Sequence, residues 1–127
     1  MARFLWVCLG GAAGTGARYW LGGWAQRHAG SGFPVGTLAI NLTGSFLLGA
    51  IMEIGVAGGM LAPTLRVTLA TGVMGGFTTY STFNYETVQF FRDGAWLAGT
   101  ANVAATVLGC LLAGFAGLAV GRAVVGR

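Results

Sequence analysis

Charged residues are scarce in this chain. Of its 127 residues, 8% are charged and 55% are hydrophobic, whereas soluble domains carry about 25% charged residues. This is too little charge to cover a water-facing surface, so a soluble globular protein is excluded and an integral membrane protein is predicted. All seven basic residues are arginines that are scattered singly, without a basic cluster or an aromatic platform. Nucleic-acid binding is therefore not expected.

Residues that bind metals or act as nucleophiles are equally scarce. The one histidine, His28, lies beside Arg27 in a polar connection between apolar segments. The two cysteines, Cys8 and Cys110, lie in separate apolar segments without a CxxC partner, which is typical of packing residues rather than of a disulfide or a metal site. The sequence contains neither a Ser/His/Asp set nor a set of metal ligands at a suitable spacing, so an enzyme is not expected.

The apolar residues form four segments that are long enough to cross a bilayer, which requires about 20 residues of helix. These spans run from about Phe4 to Trp24, Phe33 to Ala57, Pro63 to Phe91 and Ala95 to Val120. The connections between them are short, so consecutive helices are expected to be antiparallel neighbours. The sequence therefore predicts an all-α integral membrane protein in which residues 1–127 form a single four-helix transmembrane domain.

The arginines are divided almost evenly between the two predicted sides of the membrane. One side would carry Arg3, Arg66, Arg122 and Arg127, and the other would carry Arg18, Arg27 and Arg92. Because the excess of basic residues in short loops orients a membrane protein, so small an excess favours insertion in both orientations. A fixed orientation with both termini in the cytoplasm is the alternative.

Small residues recur at every fourth position along three of the spans. Such stripes allow helix backbones to approach closely in lipid, either within one protomer or between protomers. Because four short helices enclose little interior, the stripes together favour a compact homo-oligomer. The residues are Gly10, Gly14, Gly72, Gly76, Ala101, Ala105, Gly109, Ala113, Gly117 and Gly121.

Polar residues form a row on each of two spans. In an α-helix, residues four apart share a face. A single polar residue in a membrane helix commonly makes a hydrogen bond to a neighbouring helix. Two rows that are rich in donors and free of acids favour a path across the membrane instead. The rows are Thr37, Asn41 and Ser45 on the second span, and Asn102, Thr106 and Cys110 on the fourth.

The third span contains the stretch "GGFTTYSTFNYE", which begins at Gly75. Adjacent glycines and β-branched threonines weaken a helix, so we predict a break between Gly75 and Thr79, near the middle of the span. A break at membrane depth must be buried in protein or line a cavity, and the carbonyls that it releases can coordinate a cation. Beyond the break, Tyr80 and Phe83 are three apart and would point the same way. The hydroxyl groups beside them belong to Thr79, Ser81 and Thr82.

A path lined by amide and hydroxyl donors and by the positive edges of aromatic rings suits a small anion. Two other interpretations remain open. A small dual-topology multidrug or cation exporter would need a carboxylate in the first span, and the sequence has none there. A non-conducting membrane assembly protein would use the polar rows only to hold its helices together.

The stretches "GGAAGTGARYW", "GTLAINLTGSFLLG" and "GGFTTYSTFNYE" together resemble the Fluc/CrcB family of fluoride channels. The resemblance implies an antiparallel dual-topology homodimer with two pores. Fluoride leaves the cell passively through these pores, which protects the cell from fluoride toxicity. It implies a multi-pass location in the bilayer of a bacterial or archaeal plasma membrane (the cell inner membrane). It also implies a structural Na⁺ at the dimer centre, held by the backbone carbonyls of Gly75 and Thr78 from both subunits.

The same resemblance assigns roles to individual residues. Asn41 matches the pore asparagine, Thr37 lies one turn earlier at the vestibule, and Arg18 matches an arginine of the first span. Glu86 matches an acid of the motif. Three positions differ from the family pattern: Tyr80 where Phe is usual, Cys110 where Ser is usual, and Gly114 where some members carry a hydroxyl. The resulting pore set is Thr37, Asn41, Thr79, Tyr80, Ser81, Thr82, Phe83, Thr106 and Cys110, with Arg18 and Glu86 as vestibule or structural residues.

Overall fold

The computed structural model describes residues 1–30 and 32–126, and every regular element in this part of the chain is a helix. A π-helical segment, Glu53–Ala57, continues the helix Val35–Met52, and a second one, Thr68–Val73, joins the helices Pro63–Val67 and Met74–Phe77. Arg127, counted above among the basic residues of one side, lies outside the described residues. The helices are α1 (Ala2–Ala29), α2 (Val35–Met52), α3 (Pro63–Val67), α4 (Met74–Phe77), α5 (Tyr80–Arg92) and α6 (Trp96–Val124).

The first helix is longer than the apolar segment from which it was predicted. It continues through Arg27 and His28, which were expected in a connection. It ends at Ala29, and Gly30 (φ 58°) forms its C-cap. Glycine adopts this left-handed conformation without the steric cost that other residues pay. The basic side chains of Arg27 and His28 occupy the last turn, where they stabilise the negative end of the helix dipole.

Two helices of the described chain, Val35–Ala57 and Trp96–Val124, are long and apolar enough to cross a membrane. They pack against each other, with the backbone of α6 close to that of α2. A Cβ atom at Gly117 would collide with the carbonyl of Phe46, so glycine is required for this approach. The fourth-span stripe of small residues therefore packs within the protomer at this point.

The glycines of the first and third spans also face each other within one chain. A Cβ atom at Gly14 would collide with the carbonyl of Val73, and one at Gly76 would collide with the carbonyl of Gly11. The packing of α1 against α4 and the π-helical segment before it thus accounts for both stripes within one protomer, which was the alternative left open by the sequence.

The third apolar segment consists of two helical parts joined by extended backbone. α4 ends at Phe77, after which Thr78 (φ −77°, ψ 158°) and Thr79 (φ −149°, ψ 105°) are extended, and α5 begins at Tyr80. The predicted break runs from Gly75 to Thr79. Within it, Gly75 and Gly76 are helical, and the extended residues are Thr78 and Thr79. β-branched residues favour extended backbone, which explains why the two threonines rather than the glycines carry the change in direction.

Candidate functional site

The carboxamide of Asn41 on α2 holds the extended segment in place. Its Oδ1 accepts a hydrogen bond from the backbone N–H of Thr79 at 2.8 Å, and its Nδ2 donates to the carbonyl of the same residue at 3.1 Å. Both groups are buried, and an unpaired peptide group at membrane depth would cost several kcal/mol. Asn41 therefore satisfies both the N–H and the C=O of Thr79, which lies in the extended backbone between two helices.

This arrangement releases several carbonyl groups from the hydrogen bonds of a continuous helix, among them those of Gly75 and Thr78. In an unbroken helix the amide of Thr79 would donate to Gly75 and that of Thr82 would donate to Thr78. The Thr79 amide donates instead to Asn41 Oδ1, and the Thr82 amide donates to Thr79 Oγ1 at 3.3 Å. Thr79 thereby caps the first turn of α5. The carbonyls of Gly75 and Thr78 are consequently available to another partner.

A cavity of about 320 Å³ lies on one side of the Asn41–Thr79 contact. Among the described residues, no charged side chain lines it, and we call it the neutral cavity. It brings together two members of the α2 row, both aromatic residues after the break and two members of the α6 row. The residues that line it are Asn41, Gly44, Ser45, Leu48, Thr78, Tyr80, Phe83, Thr106, Val107 and Cys110.

The two aromatic rings differ in exposure although both line the neutral cavity. Their centroids are 5.6 Å apart and their planes are inclined by 59°. Phe83 is 6% exposed, whereas Tyr80 is 76% exposed in the single protomer. The prediction that they share one side of α5 agrees with this geometry, and Tyr80 forms the outer edge of the cavity.

A second cavity, of about 750 Å³, lies on the other side of the extended segment. Its lining includes Arg18, Glu86 and Asp93, and we call it the charged cavity. The Thr37 hydroxyl donates a hydrogen bond to Glu86 Oε1 at 2.7 Å, whereas Glu86 Oε2 is buried and has no hydrogen-bond partner within the described residues. Thr79 and Thr82 complete its wall next to the extended segment.

The structure thus divides the predicted site residues between two cavities. Asn41, Tyr80, Phe83, Thr106 and Cys110 meet in the neutral cavity, and Arg18, Thr37, Thr79, Thr82 and Glu86 meet in the charged cavity. Ser81 lines neither of them: it is exposed, and its hydroxyl lies 3.4 Å from that of Thr79.

One member of the α6 row has a different environment from its neighbours. Asn102 is 1% exposed and is absent from the lining of both cavities; its Nδ2 donates to the hydroxyl of Thr87 at 2.9 Å. Sequence reasoning missed Thr87, because a single threonine in a helix gives no signal of its own. Four-residue spacing could not distinguish Asn102 from Thr106 either, since it reports the face of a helix but not the partner on that face.

Comparison with known proteins gives consistent matches over nearly the whole chain. Residues 5–118 match the family described as CrcB-like protein, Camphor Resistance (CrcB). A protein from Sorangium cellulosum named fluoride-specific ion channel FluC is 56% identical over 125 residues, which cover 98% of each chain. Proteins of the same name from Anaeromyxobacter dehalogenans (56% identity; 91% of this chain and 92% of that one) and Citrifermentans bemidjiense (43%; 98% and 100%) are also similar. Together with the apolar helices, these matches indicate a membrane protein.

Proposed function

Because the chain belongs to the CrcB family, we propose that it is a fluoride channel, through which F⁻ leaves the cell down its electrochemical gradient. Such a channel protects the cell from fluoride toxicity without an enzymatic step. The observation that carries the proposal is the neutral cavity, in which Asn41, Phe83 and Thr106 converge while no charged side chain of the described residues lines the wall. An uncharged wall allows an anion to bind and also to leave again, which conduction requires.

The two cavities suit consecutive stages of one path. Arg18 gives the charged cavity a positive group that can bind an entering anion, beside the carboxyl groups of Glu86 and Asp93, so we assign this cavity as the vestibule. The N-terminus of α5 lies at the extended segment between the cavities, and the partial positive charge of a helix N-terminus favours an anion. From there the ion enters the neutral cavity, which is the pore.

Fluoride must exchange its water shell for donors of the protein. A carboxamide has two donor hydrogens, and the bond to Thr79 uses one of those on Asn41, which leaves the other for the ion. The hydroxyl of Thr106 supplies another donor, and the ring edge of Phe83 presents partial positive charge. Cys110 extends this lining along α6 as a weaker donor.

The released carbonyls of Gly75 and Thr78 support a structural Na⁺ site. Carbonyls of an interrupted helix are the groups with which membrane proteins coordinate Na⁺, and here the amides that would occupy them bond elsewhere. One protomer contributes two such oxygens, so a second copy is needed to surround the ion. Gly75 is exposed, and a Cβ placed there would meet nothing within 4 Å, so its face is accessible to that copy.

The exposed face of α5 supports a homodimer for a second reason. Tyr80 and Tyr85 are 76% and 64% exposed, and the polar side chains of Ser81 and Asn84 are exposed beside them. Lipid does not solvate such polar groups, so we infer that a second protomer covers this face. The even division of arginines supports an antiparallel arrangement in a bacterial or archaeal inner membrane, crossed several times by each chain.

Fluoride efflux from proteoliposomes, followed with a fluoride electrode, tests the proposal. The wild-type protein should empty the vesicles of fluoride. Asn41→Asp should abolish flux, because a carboxylate repels the anion and cannot donate to the Thr79 carbonyl. Size-exclusion chromatography should still show a dimer, which would separate a blocked pore from an unfolded protein.

Three other results would contradict the proposal. Retention of fluoride by the wild-type protein would favour an assembly protein, and proton-coupled movement of an organic cation without fluoride flux would favour an exporter. Unchanged flux in Asn41→Asp would place Asn41 outside the pore.

Replacement of sodium by N-methylglucamine during purification tests the Na⁺ site, and an unchanged dimer with unchanged efflux would exclude a structural role for the ion.

A further inference from the structure

A chain of hydrogen bonds connects α6 to the turn of α5 that carries Phe83. Asn102 Nδ2 donates to Thr87 Oγ1 at 2.9 Å, and Thr87 Oγ1 donates to the carbonyl of Phe83 at 2.7 Å. All three residues are buried, with exposures of 1%, 6% and 6%. A threonine hydroxyl has one hydrogen, and the Phe83 carbonyl takes it, so the amide of Asn102 must face Thr87 as the donor.

From these contacts we propose that Asn102 and Thr87 are positioning residues that hold Phe83 at the correct distance from Thr106 in the pore. This inference rests on the proposed fluoride channel. Neither positioning residue lines the neutral cavity, so they act on the ion through Phe83 rather than by contact with it.

The geometry of the α5–α6 hairpin explains how such an effect reaches the pore. The helices are connected by a short turn, and the ring of Phe91 packs on the backbone of Gly99, where a Cβ atom would overlap it. Thr87 and Asn102 meet about one turn further from the connection. Another turn further, Phe83 and Thr106 both line the neutral cavity. One helical turn is about 5.4 Å, so the Asn102–Thr87 bond fixes the helix separation immediately next to the pore.

The second hydrogen bond makes this contact more than ordinary helix packing. A threonine hydroxyl commonly bonds to the carbonyl four residues earlier, and this alone connects a helix only to itself. Here the same hydroxyl also accepts from Asn102, and consecutive hydrogen bonds in a low-dielectric interior strengthen one another. Loss of the hydroxyl would leave the buried amide of Asn102 without its acceptor, and the α5–α6 contact would have to rearrange.

The test is fluoride efflux of Thr87→Val, Asn102→Leu and Thr87→Ser. Vesicles that contain a channel empty at a rate set by the conducting pore, whereas the fraction of vesicles that empty reports the amount of folded protein. Thr87→Val keeps the shape of the side chain but loses the hydroxyl, and we expect about tenfold slower efflux with a lower fluoride/chloride selectivity. Asn102→Leu should give the same change, and Thr87→Ser should restore the wild-type rate within about twofold because it retains both bonds.

Thr100→Val is the matched control, since Thr100 is an exposed threonine of α6 and should leave rate and selectivity unchanged. A merely structural role predicts fewer active vesicles but wild-type rate and selectivity in those that empty, and that result overturns the proposal.

If a single variant fails to assemble, the double variant Thr87→Val/Asn102→Leu replaces the bond by an apolar pair. Wild-type efflux of the double variant would overturn the proposal too. If the wild type itself passes no fluoride, the channel function and this inference both fall; if only the variants are unaffected, the inference falls alone.

Discussion

The charged cavity and the neutral cavity share the extended segment as a wall but differ in chemistry. The charged cavity contains Arg18, Glu86 and Asp93, whereas the neutral cavity presents amide, hydroxyl, thiol and ring groups. Fixed charge attracts ions from a distance, but it would bind a counter-ion too tightly inside a narrow path. For the proposed channel, we therefore expect the charged cavity to bind the entering ion and the neutral cavity to conduct it, with the Asn41–Thr79 contact between them.

After Asn41→Asp, the largest effect expected from the neutral cavity follows removal of its buried ring. Phe83→Leu eliminates the positive ring edge while it retains an apolar side chain, and efflux should fall about tenfold or more. Phe115→Leu is the matched control, because Phe115 is 66% exposed on α6 and lines neither cavity. Equal efflux from the two variants would mean that the ring of Phe83 does not contact the ion.

A smaller, salt-dependent fall in fluoride efflux is expected when the arginine of the charged cavity is replaced. Arg18→Gln removes the positive charge that collects anions, so efflux should fall about fivefold at an ionic strength of about 0.01 M. In about 1 M salt the loss should nearly vanish, since the screening length shrinks to about 3 Å. Arg27→Gln, outside both cavities at the end of α1, should have no effect. A salt-independent loss in Arg18→Gln would assign this arginine a structural role instead.

The smallest effect is expected at the weak donor of the neutral cavity. Cys110→Ser replaces a thiol by a hydroxyl, which is a better hydrogen-bond donor of similar size. Efflux should rise about twofold, without a change in dimer assembly. Cys8→Ser serves as the control because Cys8 is exposed on α1 and lines neither cavity. A fall in efflux for Cys110→Ser alone would show that tighter binding, rather than weak donation, limits the passage of the ion.

The sequence predicted shared helix faces better than it predicted contacts between helices. Four-residue spacing correctly grouped Thr106 with Cys110, because side chains four apart in a helix share a face whatever surrounds it. The same spacing placed Asn102 in this row, but Asn102 lines neither cavity and donates to Thr87 on another helix. Contacts between helices depend on their separation and rotation, which no single helix encodes.

The interrupted third segment shows the same limit at the level of the backbone. Low helix propensity identified the correct region, but it assigned the break to residues that include Gly75, whereas the extended residues are Thr78 and Thr79. Gly76 is helical, and α1 approaches it so closely, at the carbonyl of Gly11, that only glycine fits there. The Asn41 carboxamide pairs with Thr79 and so stabilises the extended backbone there. Helix propensity did not distinguish the glycines from the threonines as the site of the break, and the extended conformation at Thr79 depends on its tertiary contact with Asn41.

The double hydrogen bond of Asn41 also determines which positions can be varied in this protein. The carboxamide of Asn41 both bonds to the backbone N–H and C=O of Thr79 and faces the neutral cavity. A substitution that adjusts ion binding at Asn41 therefore disturbs the backbone at the same time. Thr106 and Cys110 lie on a continuous helix, whose backbone does not depend on their side chains. Evolutionary or engineered tuning of conductance should therefore accumulate substitutions on α6, while Asn41 stays fixed.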